Sequence, residues 1–326
     1  HSRPNTGAGF GSIVKRPRAA GRLKCLAVRL QNRGINAIGT GSRHQAYNKR
    51  SCHASLLFCC SDAYSDAMSI RNRDPNIGAT EDVPPAGLHV DKMAPSAALS
   101  VMLDNQASAI PALQAALPAI EAAAIAAHDR LSQTSNGRLI YAGAGTSARI
   151  GVQDGAELPP TFNWPKDRLG FLIAGGPSAL LSAIENAEDD AAAGAAGFTA
   201  IDGAEHDVVI GIAASGKTPY TLGAIKAARQ SGAITIGIAN NPDAPLLTAA
   251  DHSILLATGG EIIAGSTRLT AGTAQKICMN LISNMIMIQM GFVANGMMVA
   301  MVPTNEKLRH RRDQIDAALG QQARID

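Results

Sequence analysis

Residues 139–151 read LIYAGAGTSARIG. An apolar run, Leu139 to Ala142, gives way to Gly143, Gly145, Thr146 and Ser147, and then to Arg149. The pattern is that of a strand ending in a small-residue loop that opens a helix. Small residues let backbone approach a ligand closely, and the N–H groups at a helix start favour an anion. The Ser and Thr hydroxyls add donors.

The same order recurs downstream. DVVIGIAA at 207–214 leads into ASGKTPY at 214–220, and GSTRLTAGT at 265–273 precedes a long Met-rich segment. Strand candidates are Arg138–Ala142, Phe171–Ala174, Asp207–Ala213, Ile234–Ala239 and Ser253–Ala257. Helical patterns fall near 148–157, 177–193 and 219–231, and a Met-rich helix is expected from about Leu269 to Gly291. Its Met279, Met285, Met287 and Met290 are expected in the core, since Met fills irregular gaps. Alternating strands and helices predict an α/β fold: a doubly wound parallel five-stranded sheet covered on both faces. Ligands of such sheets bind outside the carboxyl ends of the strands, where the three loops fall. The loops match neither a Walker A sequence nor a dinucleotide fingerprint, because the third glycine and the Gly-Lys-Ser/Thr ending are missing. Hydroxyl-rich and lightly charged, they suit a phosphomonoester on a small molecule; ordinary tight turns are the competing reading.

Ahead of this region, Ser96 to about Leu131 is helical in pattern. Leu99, Met102, Leu103, Ile110, Leu113, Leu117, Ile120 and Ile125 recur at three- and four-residue steps, which implies packing or a dimer contact. Pro111 and Pro118 are expected to break or kink it into two or three helices.

The chain has 326 residues, of which 46% are apolar and only 3% aromatic, so the core must be built of Ala, Leu, Ile, Val and Met. No stretch offers about 20 uninterrupted apolar residues, and no membrane span is expected. Net charge is +3, unevenly spread: residues 1–75 hold 13 Lys/Arg against 3 Asp/Glu. Cys25, Cys52, Cys59 and Cys60 lie there too, leaving Cys278 alone in the body, as expected of a reducing compartment. A nucleic-acid arm, a transit peptide and translated upstream sequence compete for the basic segment. The last is preferred, with a start at Met68 or Met93, because no aromatic residues interleave with the basic ones. No nucleic-acid partner is expected.

Two carboxylates are candidates for chemistry. Glu157 lies in QDGAELPP, where Pro159 and Pro160 are expected to end the first helix. Glu188 lies in SAIENAEDD. Each alone reads more readily as structural or as a solvated face. Facing one phosphosugar pocket, they would form an acid/base pair: one removes the proton beside an open-chain aldehyde, and the same or the other protonates a leaving oxygen. That elimination needs no metal or cofactor, and neither is expected; no His pair has metal-ligand spacing. His128, His206, His252 and His310 are assigned no role.

The runs GRLIYAGAGTSARIGV, AELPPTF, IAGG, ENAEDD, DVVIGIAASGKTPY, GSTRLTAGTAQK, MNLIS and TNEKLR, spread over residues 80–312, resemble the N-acetylmuramic acid 6-phosphate etherase family of the sugar isomerase (SIS) superfamily. The resemblance implies a cytoplasmic homodimer, with its site near the subunit interface, acting on a small-molecule phosphosugar in cell-wall sugar recycling. Its reaction releases D-lactate and N-acetylglucosamine 6-phosphate by elimination and hydration. It implies that Glu157 is the proton donor and Glu188 the second catalytic glutamate. Thr146, Ser147, Ser215, Gly216 and Thr218 would bind substrate, with Ser266 a further candidate. The implied layout is an N-terminal extension at 1–79, a helical lead-in at 80–131, an SIS phosphosugar-binding domain at 132–292 and a helical tail at 293–326, shorter than the family's. Ala148 stands where the family usually has Gly. The alternatives are a non-catalytic phosphosugar-binding regulator, like the glucokinase regulatory protein, or a phosphosugar isomerase.

Overall fold

The computed structural model describes residues 78–182, 184–303 and 306–319. The basic segment, with its candidate starts and cysteines, lies outside the described residues apart from 78–79 and Met93. Helices α1 (Pro95–Ala107) and α2 (Ala109–Ser132) lead into the sheet. There follow β1 (Leu139–Gly143), α3 (Gly145–Phe162), β2 (Leu169–Ile173), α4 (Ala191–Ala200) and β3 (Val208–Ile212). Then come α5 (Pro219–Gln230), β4 (Ile234–Ala239), α6 (Pro245–Ala249), β5 (His252–Leu255) and α7 (Thr270–Gln289). A two-residue hairpin, β6 (Val293–Ala294) with β7 (Met297–Met298), precedes α8 (Glu306–Leu319).

The five strands pair in the order β2-β1-β3-β4-β5, all parallel. The two central strands, β1 and β3, are buried at every residue, as apolar runs covered on both faces should be. Alternation divides the core. Leu139, Tyr141, Ile210 and Ile212 face α2, α3 and α7, while Ile140, Ala142 and Val209 face α4 and α5. At the amino edge, the Arg138 guanidinium grips both oxygens of Asp207, with contacts of 3.1 and 2.6 Å, and ties β1 to β3. Because the chain runs from β1 out to β2 and returns to β3, its direction switches between β1 and β3. The carboxyl ends of those two strands therefore flank a crevice.

Several expectations need correction. The helix expected at 177–193 is two 3-10 turns, Pro177–Leu180 and Ala187–Asp189, ahead of α4. Asn186 adopts a φ of 60°, which a continuous helix cannot contain, and Gly175 and Gly176, at 79° and 73°, form the turn just before the segment. Helix α3 runs through Pro159 and Pro160 to Phe162. Proline's φ fits a helix; each proline gives up its own N–H bond and crowds the carbonyl four residues back, a disturbance confined here to the helix end. The break between α1 and α2 falls at Ser108, before Pro111, and Pro118 lies inside an unbroken α2. Of the periodic apolar residues there, Leu113 and Ile120 are buried, but Leu99, Leu103, Ile110, Leu117 and Ile125 remain exposed. Met285 is exposed as well, while Met279 and Met287 are fully buried. The stretch Pro95–Ser132 is long and apolar enough to cross a bilayer by composition alone. Helix α2, however, lays Ala123, Ala124, Ala127 and Leu131 flat onto the sheet as a core helix. The boundary drawn after residue 79 falls inside a packed turn, since Ala79 and Thr80 are both buried.

Candidate active site

A cleft of about 370 Å³ opens at the carboxyl ends of β1 and β3. The first loop gives it Gly145, Thr146 and Ser147, and the second gives Ser215, Lys217 and Thr218. Glu188 and Asp189 close another side, and Glu81 and Thr267 complete it. Gly145 is the first residue of α3 and Pro219 the first of α5, so both helix starts face the cleft. Neither is capped by a side chain, which leaves their first-turn N–H groups available to an anion.

Each hydroxyl has a distinct state. Ser215 Oγ accepts the Lys217 N–H at 3.2 Å and keeps its own proton for a ligand. Ser147 Oγ is buried and donates to Gln275 Oε1 at 2.8 Å. Gln275 Nε2 in turn donates to Asn240 Oδ1 at 2.8 Å. Gly216 does not line the cleft, but its φ of +63° and the place where a Cβ would stand, 2.3 Å from the Ala244 Cβ, require glycine. Ala148 lies within α3, is buried and has no positive φ, so its methyl strains nothing and lines no part of the cleft.

The third loop differs from the other two. Its helix start is already occupied: the fully buried Glu261 carboxylate accepts the N–H groups of Thr270 at 3.0 Å and Ala271 at 2.9 Å. Asn105 of α1 adds to this clamp by accepting from Thr270 Oγ1 and the Ile262 N–H. Only Thr267 of this loop reaches the cleft, and Ser266 does not line it.

Arg149, the cation that ends the opening motif, points elsewhere. Its guanidinium donates to the carbonyls of Leu180 and Ala179, both at 2.9 Å, and so pins the turn that precedes the Glu188 segment.

The two predicted glutamates are not brought together within one chain. Glu188 lines the cleft, but Glu157 lines a separate groove of about 210 Å³ with Gln153, Asp154, Lys276 and Asn280. Twelve residues of α3 separate Glu157 from Gly145, about 18 Å along a helix axis. Asp154 beneath that groove accepts from Tyr141 Oη at 2.7 Å, Asn280 Nδ2 at 2.6 Å and Ser283 Oγ at 3.1 Å. Burial first, and then this carboxylate, push the Tyr141 phenol well above its usual value. A larger cavity of about 590 Å³, lined by Phe198, Asp202 and Gln230, contains none of the hydroxyl loops. Sequence reasoning missed Glu81, Asp189, Lys217 and Thr267; the last three sit inside motifs it singled out, whereas nothing local marks Glu81.

Residues 122–229 match the glucokinase regulatory protein N-terminal SIS domain, and residues 200–294 match the SIS domain. Over 232 residues the chain is 50% identical to an N-acetylmuramic acid 6-phosphate etherase from Deinococcus radiodurans, spanning 71% of this chain and 75% of that one. The chain belongs to the N-acetylmuramic acid 6-phosphate etherase family. Etherases of Streptomyces avermitilis and Pasteurella multocida are each 43% identical, over 73% and 72% of this chain and 76% and 78% of theirs. Among solved structures, a phosphoheptose isomerase from Francisella tularensis aligns at 19% identity with a TM-score of 0.45, over 60% of this chain and 98% of that one.

Proposed function

We propose that this chain is a carbon–oxygen lyase that cleaves the D-lactyl ether of N-acetylmuramic acid 6-phosphate in the β1/β3 cleft. One observation carries the site assignment: the uncapped starts of α3 and α5, with the hydroxyls of Thr146, Ser147, Ser215 and Thr218, converge beside Glu188. The phosphate seats on the Thr146, Ser215 and Thr218 hydroxyls and on the first-turn N–H groups, which include that of Ser147, and the open-chain sugar extends toward the carboxylates. The aldehyde acidifies the hydrogen on C2. A glutamate takes that proton, the C–H electron pair becomes the C2–C3 double bond, and the C3–O bond breaks. Glu157, as the acid, protonates the departing ether oxygen, and lactate leaves. Water then adds its oxygen to C3 and a proton to C2, giving N-acetylglucosamine 6-phosphate.

Glu157 is too far down α3 to reach its own cleft, so a second copy of the chain supplies it. The exposed apolar residues Ile125 of α2 and Leu281, Met285 and Ile288 of α7 support a homodimer, because these helices share a sheet face with α3. A cytoplasmic setting fits the buried, unpaired Cys278.

The match to a glucokinase regulatory protein domain favours a second reading, a phosphosugar-binding regulator without turnover. Incubation with N-acetylmuramic acid 6-phosphate and an assay for D-lactate separates the two. Lactate release at an enzymatic rate is expected. Tight binding without lactate would establish the regulator, and aldose–ketose interconversion without lactate would establish an isomerase.

A further inference from the structure

Glu81 enters the cleft from a turn far ahead of the sheet, and the chain around it is held by long-range contacts. Thr80 is fully buried; its N–H donates to Asn241 Oδ1 at 3.1 Å, and its Oγ1 accepts from Asn241 Nδ2 at 3.0 Å. Its carbonyl accepts the Gly265 N–H at 3.2 Å, and the Glu81 N–H closes the turn on the Gly78 carbonyl at 2.9 Å. Residue 80 is thus pinned between the end of β4 and the third loop. The carboxylate that follows lies against Gly265, where an added Cβ would stand 2.8 Å from Glu81 Oε2. Glycine at that position, with φ of +72°, makes the room.

The Glu81 side chain itself is exposed and, among the described residues, has neither a hydrogen bond nor an ion pair of its own. An unpartnered carboxylate adds nothing to folding stability, and beside a phosphate site its charge repels the ligand. A carboxylate only accepts hydrogen bonds, and a phosphate dianion has none to donate. The parts of a phosphosugar that complement it are its hydroxyls and an acetamido N–H.

We infer that Glu81 reads the sugar: it accepts a hydrogen bond from a hydroxyl or the amide N–H of an N-acetylamino sugar phosphate, and so separates such ligands from other phosphomonoesters. The inference rests on the cleft being the phosphosugar site proposed above. The segment 78–81 is then part of the binding site.

Titration calorimetry on the full chain tests this with two probes. N-acetylglucosamine 6-phosphate carries both the phosphate and the donors, whereas methyl phosphate carries only the phosphate. Glu81→Ala is expected to weaken the amino sugar phosphate about 10-fold or more, as loss of a hydrogen bond to a charged group does. Methyl phosphate should bind the variant within about twofold of wild type, or more tightly, because a repelling charge is gone. Glu81→Gln, which keeps an accepting oxygen, should fall between wild type and Glu81→Ala. Equal weakening of both probes, or no weakening of the sugar phosphate, overturns the inference. Wild-type protein that binds neither probe sinks the reading of the cleft itself, and this inference with it.

Discussion

Ser147 Oγ donates its proton to Gln275 Oε1, which fixes the first hydroxyl loop to the second turn of the core helix α7. The Gln275 amide is locked in turn by its bond to Asn240, and Asn240 Nδ2 donates to the Leu256 carbonyl at 3.1 Å. A buried polar chain therefore runs from the first turn of α3 to the end of the edge strand β5. It holds the Ser147 side chain, and with it the adjacent α3 N–H groups, in a set arrangement.

Gln275→Ala should loosen that arrangement without touching the carboxylates. The Michaelis constant for the phosphosugar is expected to rise several-fold, with a smaller change in kcat. Stability should fall by about 1–3 kcal/mol, because buried partners lose their bonds. In a double-mutant cycle with Ser147→Ala, the two effects should not add. Strict additivity in steady-state kinetics would show that the contact does not orient Ser147.

Placement of Glu157 and Glu188 in separate grooves has a sharp consequence if the site spans two copies. Glu157→Gln and Glu188→Gln proteins should each release almost no lactate, since general acid–base assistance is worth about 100- to 10,000-fold. When the two inactive proteins are mixed and allowed to exchange subunits, half the dimers become mixed, and each carries one intact site. Lactate release should recover to roughly a quarter of the wild-type rate in a two-fold assembly. No recovery after proven exchange would place both glutamates in one chain's site.

The Arg138–Asp207 pair makes a prediction about acid stability. Burial alone raises the Asp207 carboxyl, but the Arg138 guanidinium and the Ala204 and Arg138 N–H groups outweigh it and hold it below the usual carboxylate value. The folded state therefore binds this proton less readily than the unfolded chain. The stabilisation is complete above the unfolded value, near 3.8, and is lost as pH falls through the depressed folded value. Urea midpoints measured from pH 6 downward should drop below about pH 4, and Asp207→Asn should flatten that part of the profile. A variant with an unchanged acid slope would show that this carboxyl does not drive it.

Much of the architecture was legible because β1, β3 and β4 are short apolar runs stopped by small residues. Parallel central strands are covered on both faces, so their sequences carry no polar alternation and stand out from the Ala-rich helices around them. The two hydroxyl loops that line the cleft were legible for the same reason: each cluster directly follows such a run. Local pattern failed at 177–193, where Ala and Leu spacing suggests a helix. Positive φ at Asn186 divides that segment, two positive-φ glycines precede it, and the turn that Arg149 clamps sets it apart. The third loop misled in another way. Its helix start resembles an anion site, but Glu261, a few residues upstream, fills it from inside.

The amino-acid sequence by itself determined the parallel α/β architecture and the two hydroxyl-rich loops at strand ends. Each of these depends on residues adjacent along the chain, where periodicity and turn chemistry act. Only the tertiary structure decided that Glu81 shares a cleft with Ser215 and Glu188, and that Glu157 does not. The first depends on hydrogen bonds between Thr80 and Asn241, 161 residues apart. The second depends on the length and direction of α3, which carries Glu157 away from the edge where its helix begins. Contacts closed by the packing of distant segments leave no periodic trace in the chain that makes them.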